Sequence, residues 1–221
     1  MAVFKGFFLV ILFCCNIDVL NGFHKAVNKD FDEILGSKII GGNDLKWNDS
    51  SYIVSISHGM KGHHCCTGTI ISIDPPKILT AAHCIAPCYI KWYTETVDVK
   101  IGCNDNVNNC DDGVIYKIKS FYMHSEWEYL TNDYDVAVLT LTEPINKPDN
   151  VKSISIELND DSISTQNDEI LKIIGYGQIN TESSKVKLQE SNLNYISNDK
   201  CVLALPDRNG YRDNISKRMM C

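Results

Sequence analysis

The chain has 221 residues, of which 44% are hydrophobic and 22% charged, and its formal net charge is -7. This composition is ordinary for a globular protein and argues against a disordered chain. Phosphate binding needs a basic surface, so the acidic balance argues against a nucleic-acid partner.

The N-terminus has the pattern of a secretory signal peptide. Lys5 precedes an apolar run over residues 7–15, polar residues follow, and small Gly22 marks a cleavage point. The run is well short of the roughly 20 residues that span a bilayer. We therefore predict a signal peptide at 1–22, no membrane anchor, and a secreted, extracellular protein.

Residues 23–38 are mixed and charged, contain no cysteine, and end at Lys38. We interpret them as a propeptide; a plain disordered tail is the alternative. From Ile39 onward, short β-branched and alternating runs are separated by turns, which predicts an all-β barrel or sandwich. The six strand-like runs cover residues 52–57, 67–72, 77–80, 97–101, 114–118 and 136–141.

The polar, proline-punctuated stretch 143–151 predicts a linker. Residues 169–174 and 186–195 beyond it are strand-like, and a short helix is predicted after a cap at Ser197 or Asn198.

Three motifs occur in order along the chain. The first is Lys38-Ile39-Ile40-Gly41-Gly42, the second is Leu79-Thr80-Ala81-Ala82-His83-Cys84, and the third is Asp135-Val136-Ala137-Val138-Leu139. In this order they resemble the activation junction, the histidine motif and the buried aspartate motif of the trypsin/chymotrypsin family of serine endopeptidases. The histidine precedes the aspartate, which is the chymotrypsin order. The resemblance runs from residue 39 to residue 221.

The resemblance implies an all-β, chymotrypsin-like double β-barrel. The first barrel would occupy residues 39–142 and be complete, and residues 152–221 would form a truncated second barrel. We expect such a partial barrel to leave apolar faces and strand edges in contact with water.

The resemblance assigns His83 as general base and Asp135 as the carboxylate that orients it. Asp133 is the rival, but alternation is expected to point it to the opposite strand face, and only Asp135 leads the apolar run. The family's Gly-Asp-Ser-Gly-Gly nucleophile loop does not occur in the 221 residues. We therefore expect the sequence to be incomplete at the C-terminus, and the cleavage specificity is not written in it.

Activation in the family frees an isoleucine ammonium, so cleavage between Lys38 and Ile39 by another trypsin-like protease is expected. His64 matches a histidine that holds the partner of that ammonium before activation, and we expect it to lack a partner here. The implied partners are peptide or protein substrates, the activating protease and protease inhibitors. No cofactor is implied.

Two of the ten cysteines, Cys14 and Cys15, lie in the signal, and the remaining eight indicate disulfides in a secreted chain. The resemblance implies bridges Cys66–Cys84 and Cys201–Cys221. Cys103 and Cys110 are close enough to clip a surface loop, which leaves Cys65 to pair with Cys88.

Metal sites are the alternative use of these residues. The zinc ligands would be drawn from the cysteines and histidines at 63–66, 83, 84 and 88, but their spacing is not a standard zinc pattern. Asp105, Asp111 and Asp112 lie where some relatives carry a calcium loop, and we interpret them as a solvated acidic loop. We predict no metal.

Asn48-Asp49-Ser50 and Asn214-Ile215-Ser216 are glycosylation sequons, with Asn48 and Asn214 as acceptors.

The sequence thus predicts a secreted, trypsin-like serine endopeptidase zymogen whose triad serine is not in this chain. The alternative is a truncated, non-catalytic homologue that binds or decoys protease partners. A reading frame that continues into a Gly-Asp-Ser-Gly-Gly motif would distinguish the two.

Overall fold

The structure is a computed structural model of the chain. It describes residues 3–4, 8–9, 42–58, 63–85, 97–104, 106–156, 169–177, 186–204 and 215–219. The strands in these segments are β1 (Val3–Phe4), β2 (Phe8–Leu9), β3 (Asn43–Asp44), β4 (Ile53–His58), β5 (His63–Ser72), β6 (Lys77–Thr80), β7 (Val97–Ile101), β8 (Val114–Met123), β9 (Ala137–Leu141), β10 (Ile170–Gly177) and β11 (Lys187–Asn194). A 3₁₀ turn covers Trp47–Ser50, and helix α1 covers Asn198–Ala204.

Strands β4 to β9 close into a six-stranded antiparallel barrel in the order β4-β5-β6-β9-β8-β7. Buried and partly exposed side chains alternate along β9: Ala137, Leu139 and Leu141 are buried, and the residues between them are partly exposed. One face of the strand therefore points into the barrel. The prediction of an all-β fold is confirmed, and each of the six predicted runs contributes a strand.

The barrel core is formed by large side chains that are almost completely buried. They include Trp47, Ile53, Ile56, Ile70, Ile78, Ile101, Tyr116, Leu139 and Leu141. The buried indole N–H of Trp47 donates a hydrogen bond to the carbonyl of Ile53 at 2.8 Å, because a buried polar group needs a partner. The core therefore lies inside the barrel and beneath the 3₁₀ turn.

Strands β10 and β11 pair antiparallel from Ile170↔Asn194 to Gly177↔Lys187. They belong to a second sheet with the order β1-β2-β10-β11-β3. Ile174 and Leu188 are buried in the same hydrophobic cluster as the barrel core, whereas Ile170 and Leu193 are exposed. The expectation of water-exposed apolar faces is therefore wrong for the inner residues of this sheet, because they pack against the first barrel.

Tyr176 joins β10 to the barrel. Its backbone N–H donates to Thr67 Oγ1 at 2.9 Å, and its hydroxyl donates to the carbonyl of Cys103 at 2.9 Å. The neighbouring Gly175 permits this approach, since a Cβ there would lie 3.2 Å from Thr67 Oγ1. Both bonds are buried, so they tie the two halves of the chain together.

The loop after β7 is closed by the Cys103–Cys110 disulfide, as predicted. Lys100 is buried beneath it and donates from Nζ to the carbonyls of Val107 and Asn108, at 2.9 and 3.0 Å. Burial lowers the pKa of Lys100, because the charged ammonium is partly desolvated. The loop in turn reaches the second half of the chain, where Val107 N–H donates to the carbonyl of Val186 at 3.0 Å.

One acidic residue of that loop, Asp112, binds Asn104 within the same loop. Asp111 and Asp112 are exposed. Asp112 accepts from the side-chain amide of Asn104 at 2.7 Å, while Asp105 lies outside the described residues.

Most of the predicted signal peptide and propeptide also lies outside the described residues. The exceptions, Val3–Phe4 and Phe8–Leu9, are short strands, and β2 pairs with Lys172 and Ile173 of β10. The stretch predicted as a linker follows β9 along the barrel, with Ile145 N–H donating to the carbonyl of Ile73 at 3.2 Å. Within the described segments, no helix combines the length and hydropathy that crossing a bilayer requires.

Candidate active site

The pairing of β6 with β9 determines where the predicted catalytic residues lie. The register sets Thr80 opposite Ala137 in this antiparallel pair. His83 follows Thr80 by three residues and Asp135 precedes Ala137 by two, so both leave the sheet at the same end. The barrel therefore brings together two residues that are 52 positions apart in sequence.

Asp135 holds His83 at two points. Asp135 Oδ1 accepts the backbone N–H of His83 at 2.8 Å, and Oδ2 accepts a hydrogen bond from the imidazole Nδ1. The side chains are 11% and 19% exposed, respectively. Because a carboxylate only accepts, Nδ1 carries the proton, which leaves the lone pair on Nε2 when the ring is neutral.

The surroundings of His83 fix its backbone. Ala81 and Ala82 are buried, and the N–H of Ile85 donates to the carbonyl of Ala82 at 2.9 Å, which forms a tight turn around the histidine. Cys84 is bridged to Cys66 of β5, as the resemblance implied. Small residues and a disulfide therefore hold the histidine against the barrel wall.

Asp135 lies in a three-residue turn, in which Val136 N–H donates to the carbonyl of Tyr134 at 2.7 Å. Asn132 and Tyr134 both have left-handed backbone conformations, with φ of 52° and 54°. The expectation that strand alternation separates Asp133 from Asp135 is therefore wrong. Residues two apart in a strand share a face, and this segment is a turn that precedes β9.

Asp133 is turned away to another partner instead. It accepts from Arg218 Nε at 2.9 Å and from Ser216 Oγ at 2.8 Å, and the guanidinium Nη2 contacts its second oxygen. Hydrogen bonding to Arg218 lowers the pKa of Asp133 to about 2, and Asp133 in turn raises the pKa of Arg218. No motif signals this contact, because Arg218 is 85 residues away in sequence.

His64 has a partner that the sequence analysis missed. Its Nδ1 lies 2.7 Å from Ser55 Oγ on the neighbouring strand, and its ring is tilted against Tyr176 at 5.7 Å. The expectation that His64 lacks a partner is therefore wrong. The two residues lie on adjacent strands, β4 and β5, but the register sets Ser57 opposite His64, so strand pairing alone would not have suggested Ser55.

The other predicted site residues are placed only in part. Cys65 is buried in β5 and Cys201 is disulfide-bonded, but Cys88 and Cys221 lie outside the described residues. Asn48 is exposed in the 3₁₀ turn, where its Oδ1 accepts from Asn150. The remaining positions outside the described residues are Lys38, Ile39 and Asn214.

The ligand atoms of Cys66, His83 and Cys84 lie within 4.8 Å of one another, which is close enough to consider a metal. Both sulfurs are joined in the bridge, however, and metal ligation requires thiolates. His83 Nε2 lies 3.4 Å from Cys84 Sγ, a contact that follows from their adjacency in the turn.

The family model described as Trypsin matches residues 39–221. The chain is similar to the vitellin-degrading protease of Bombyx mori, with 26% identity over 142 residues that cover 64% of this chain and 49% of that protein. It is 30% identical to a trypsin of Simulium vittatum over 65% of this chain and 54% of that protein. It is also similar to Hypodermin-B of Hypoderma lineatum, with 29% identity over 85% of this chain and 67% of that protein. The chain thus spans about half the length of the first two of these relatives.

Proposed function

This chain belongs to the trypsin family, and we propose that it carries the His–Asp part of the active site of a secreted serine endopeptidase zymogen. The observation that supports this most directly is the two-point hold of Asp135 on His83. The similarity to trypsin-like relatives supports peptides or proteins as the substrate class.

In the proposed mechanism, His83 takes the proton of a serine hydroxyl on Nε2 and later returns it to the leaving amine. Asp135 keeps the proton on Nδ1, so that Nε2 can act as the base, and it stabilises the imidazolium that forms. The backbone N–H bond to Asp135 Oδ1 orients the main chain of His83 together with its ring. This preorganisation lowers the entropic cost of reaching the transition state.

The nucleophile in this proposal is a serine outside these 221 residues. The sequence contains no Gly-Asp-Ser-Gly-Gly loop, in which backbone N–H groups would also form an oxyanion hole. We propose further that cleavage between Lys38 and Ile39 by another trypsin-like protease activates the protein, and that protease inhibitors are among its partners. We also propose that Asn48 is glycosylated on secretion. The disulfides of the mature protein would include Cys65–Cys88 and Cys201–Cys221.

The base role is tested by ¹⁵N NMR of histidine-labelled protein over a pH titration. His83 is expected to keep Nδ1 protonated throughout and to gain its second proton at Nε2. Asp135→Asn should abolish the preference for the Nδ1–H form, whereas Asp111→Asn, a matched change at an exposed carboxylate, should not. A His83 ring that titrates as a mixture of tautomers in the unmodified chain would contradict the proposal.

The enzyme role is tested on protein isolated from its natural source with antibodies to this chain. A fluorophosphonate probe should label a polypeptide whose N-terminal sequence begins at Ile39. Processed polypeptide that begins at Ile39 but takes up no probe would instead support a non-catalytic homologue.

A further inference from the structure

A short segment of the second half of the chain, residues 215–219, reaches the turn that carries Asp135. Arg218 donates from Nε to Asp133 Oδ1 at 2.9 Å, and its Nη2 contacts Oδ2, which is the fork geometry that favours arginine over lysine. Ser216 donates to the same Oδ1 at 2.8 Å, and its hydroxyl also accepts from Arg218 N–H at 3.2 Å. Asp133 is thereby held by two residues of one segment.

The same guanidinium covers Tyr134, the residue directly before Asp135. Arg218 Cζ lies 4.2 Å from the Tyr134 ring centroid, a cation–π contact. His124 stacks on Tyr134 with ring centroids 4.7 Å apart and an interplanar angle of 13°. Tyr134 is therefore contacted by Arg218 as well as by the loop after β8.

Tyr134 needs such support because its φ of 54° lies in the left-handed region, which tyrosine rarely adopts. Its carbonyl accepts the N–H of Val136 and so closes the turn around Asp135. A rotation of Tyr134 would consequently move the Asp135 carboxylate away from Nδ1 and the backbone N–H of His83.

The other end of the segment is tied to α1. Asn198 donates from Nδ2 to the carbonyls of Ser216 and Met219, at 2.7 and 3.0 Å. The described contacts thus run from α1 through residues 215–219 to the turn before β9. They link the second half of the chain to the His83–Asp135 pair in the first barrel.

We propose that Arg218 is a positioning residue for Asp135. By pairing with Asp133 and covering Tyr134, it keeps the turn in the conformation that aims the carboxylate at His83. The inference rests on the proposed role of the His83–Asp135 pair, and it adds that the second half of the chain controls the geometry of that pair.

The test measures the solvent exchange of the His83 Nδ1 proton by NMR in the full chain. Arg218→Met removes the charge and the fork but keeps an unbranched side chain. It should raise the exchange rate roughly 3- to 30-fold, the range expected when a coupled network is interrupted. Lys217→Met, at the exposed neighbouring position, is the matched control and should leave the rate unchanged.

A merely structural role for Arg218 would not change this proton while the amide spectrum stays folded. An unchanged exchange rate in folded Arg218→Met therefore overturns the inference. If that variant does not fold, Asp133→Asn decides, because it keeps the size of the side chain and removes the charge with which Arg218 pairs. An unchanged rate there also overturns the inference. An Nδ1 that its ¹⁵N chemical shift shows to be unprotonated in the unmodified chain would instead refute the proposed base role of His83.

Discussion

Replacing Tyr176 with phenylalanine tests whether the two halves of the chain are joined where the structure joins them. Tyr176 is 2% exposed, and its hydroxyl makes one described hydrogen bond, to the carbonyl of Cys103. Tyr176→Phe keeps the ring and its packing, so no large cavity forms. The change isolates the contribution of that hydroxyl.

The expected loss follows from leaving a buried carbonyl without its donor, which costs about 2 kcal/mol. For a chain of this size, such a loss lowers the melting temperature by about 4–8 °C. Hydrogen exchange should quicken across β10, which carries Tyr176, and should stay slow in β7 of the barrel.

The pH dependence gives a second measurement on the same variant. Burial raises the pKa of Tyr176 above that of an unfolded tyrosine. Its stabilising contribution is therefore complete below about pH 10 and is lost as the pH rises further. Tyr176→Phe should reduce this alkaline loss.

The assay is urea unfolding followed by tryptophan fluorescence, with Tyr122→Phe as the control. Tyr122 is 66% exposed, so its hydroxyl loss should be nearly neutral. Equal unfolding midpoints for the two variants, or equal quickening of exchange in β7 and β10, would refute the reasoning.

Three further predictions concern the bridge next to His83, the Asp133–Arg218 pair and the loop after β7. Replacing Cys66 and Cys84 together by alanine should lower the free energy of unfolding by about 3 kcal/mol, because the bridge closes a loop with a sequence separation of 18. Urea unfolding under oxidising conditions measures this loss. A loss no larger than that of a surface substitution would contradict the prediction. The pairing of Asp133 with Arg218 should be complete above about pH 4 and lost as the pH falls through about 2, because the folded pKa of Asp133 is lowered to about 2. The Arg218 Nε–H signal reports this loss, and a signal that is unchanged from about pH 4 to about pH 1 in folded protein would count against the pair. Lys100→Met should lower the free energy of unfolding by about 2 kcal/mol, since two loop carbonyls lose their donor. Amide hydrogen exchange should become faster only in the loop after β7. Faster exchange throughout the barrel would contradict a local role of Lys100.

The sequence by itself determined the all-β class and the six strand-like runs, because alternation, turn residues and β-branched runs are local signals, whereas the closed barrel was an implication of the family resemblance. The resemblance of two short motifs to the family's histidine and aspartate motifs predicted that Asp135 orients His83, and the structure places the two in contact. Two bridges, Cys66–Cys84 and Cys103–Cys110, were likewise predictable from the family pattern or from close spacing.

Only the tertiary structure decided where the Asp133 carboxylate lies and what holds it there. Asp133 and Asp135 differ by two positions in a turn with left-handed residues, where the periodicity of a strand carries no information. Arg218 and Tyr176 act across the junction of the two halves, over 85 and 73 residues, respectively. Contacts at such separations depend on how the sheets pack, because burial and charge pairing are satisfied in space and leave no local pattern in the chain.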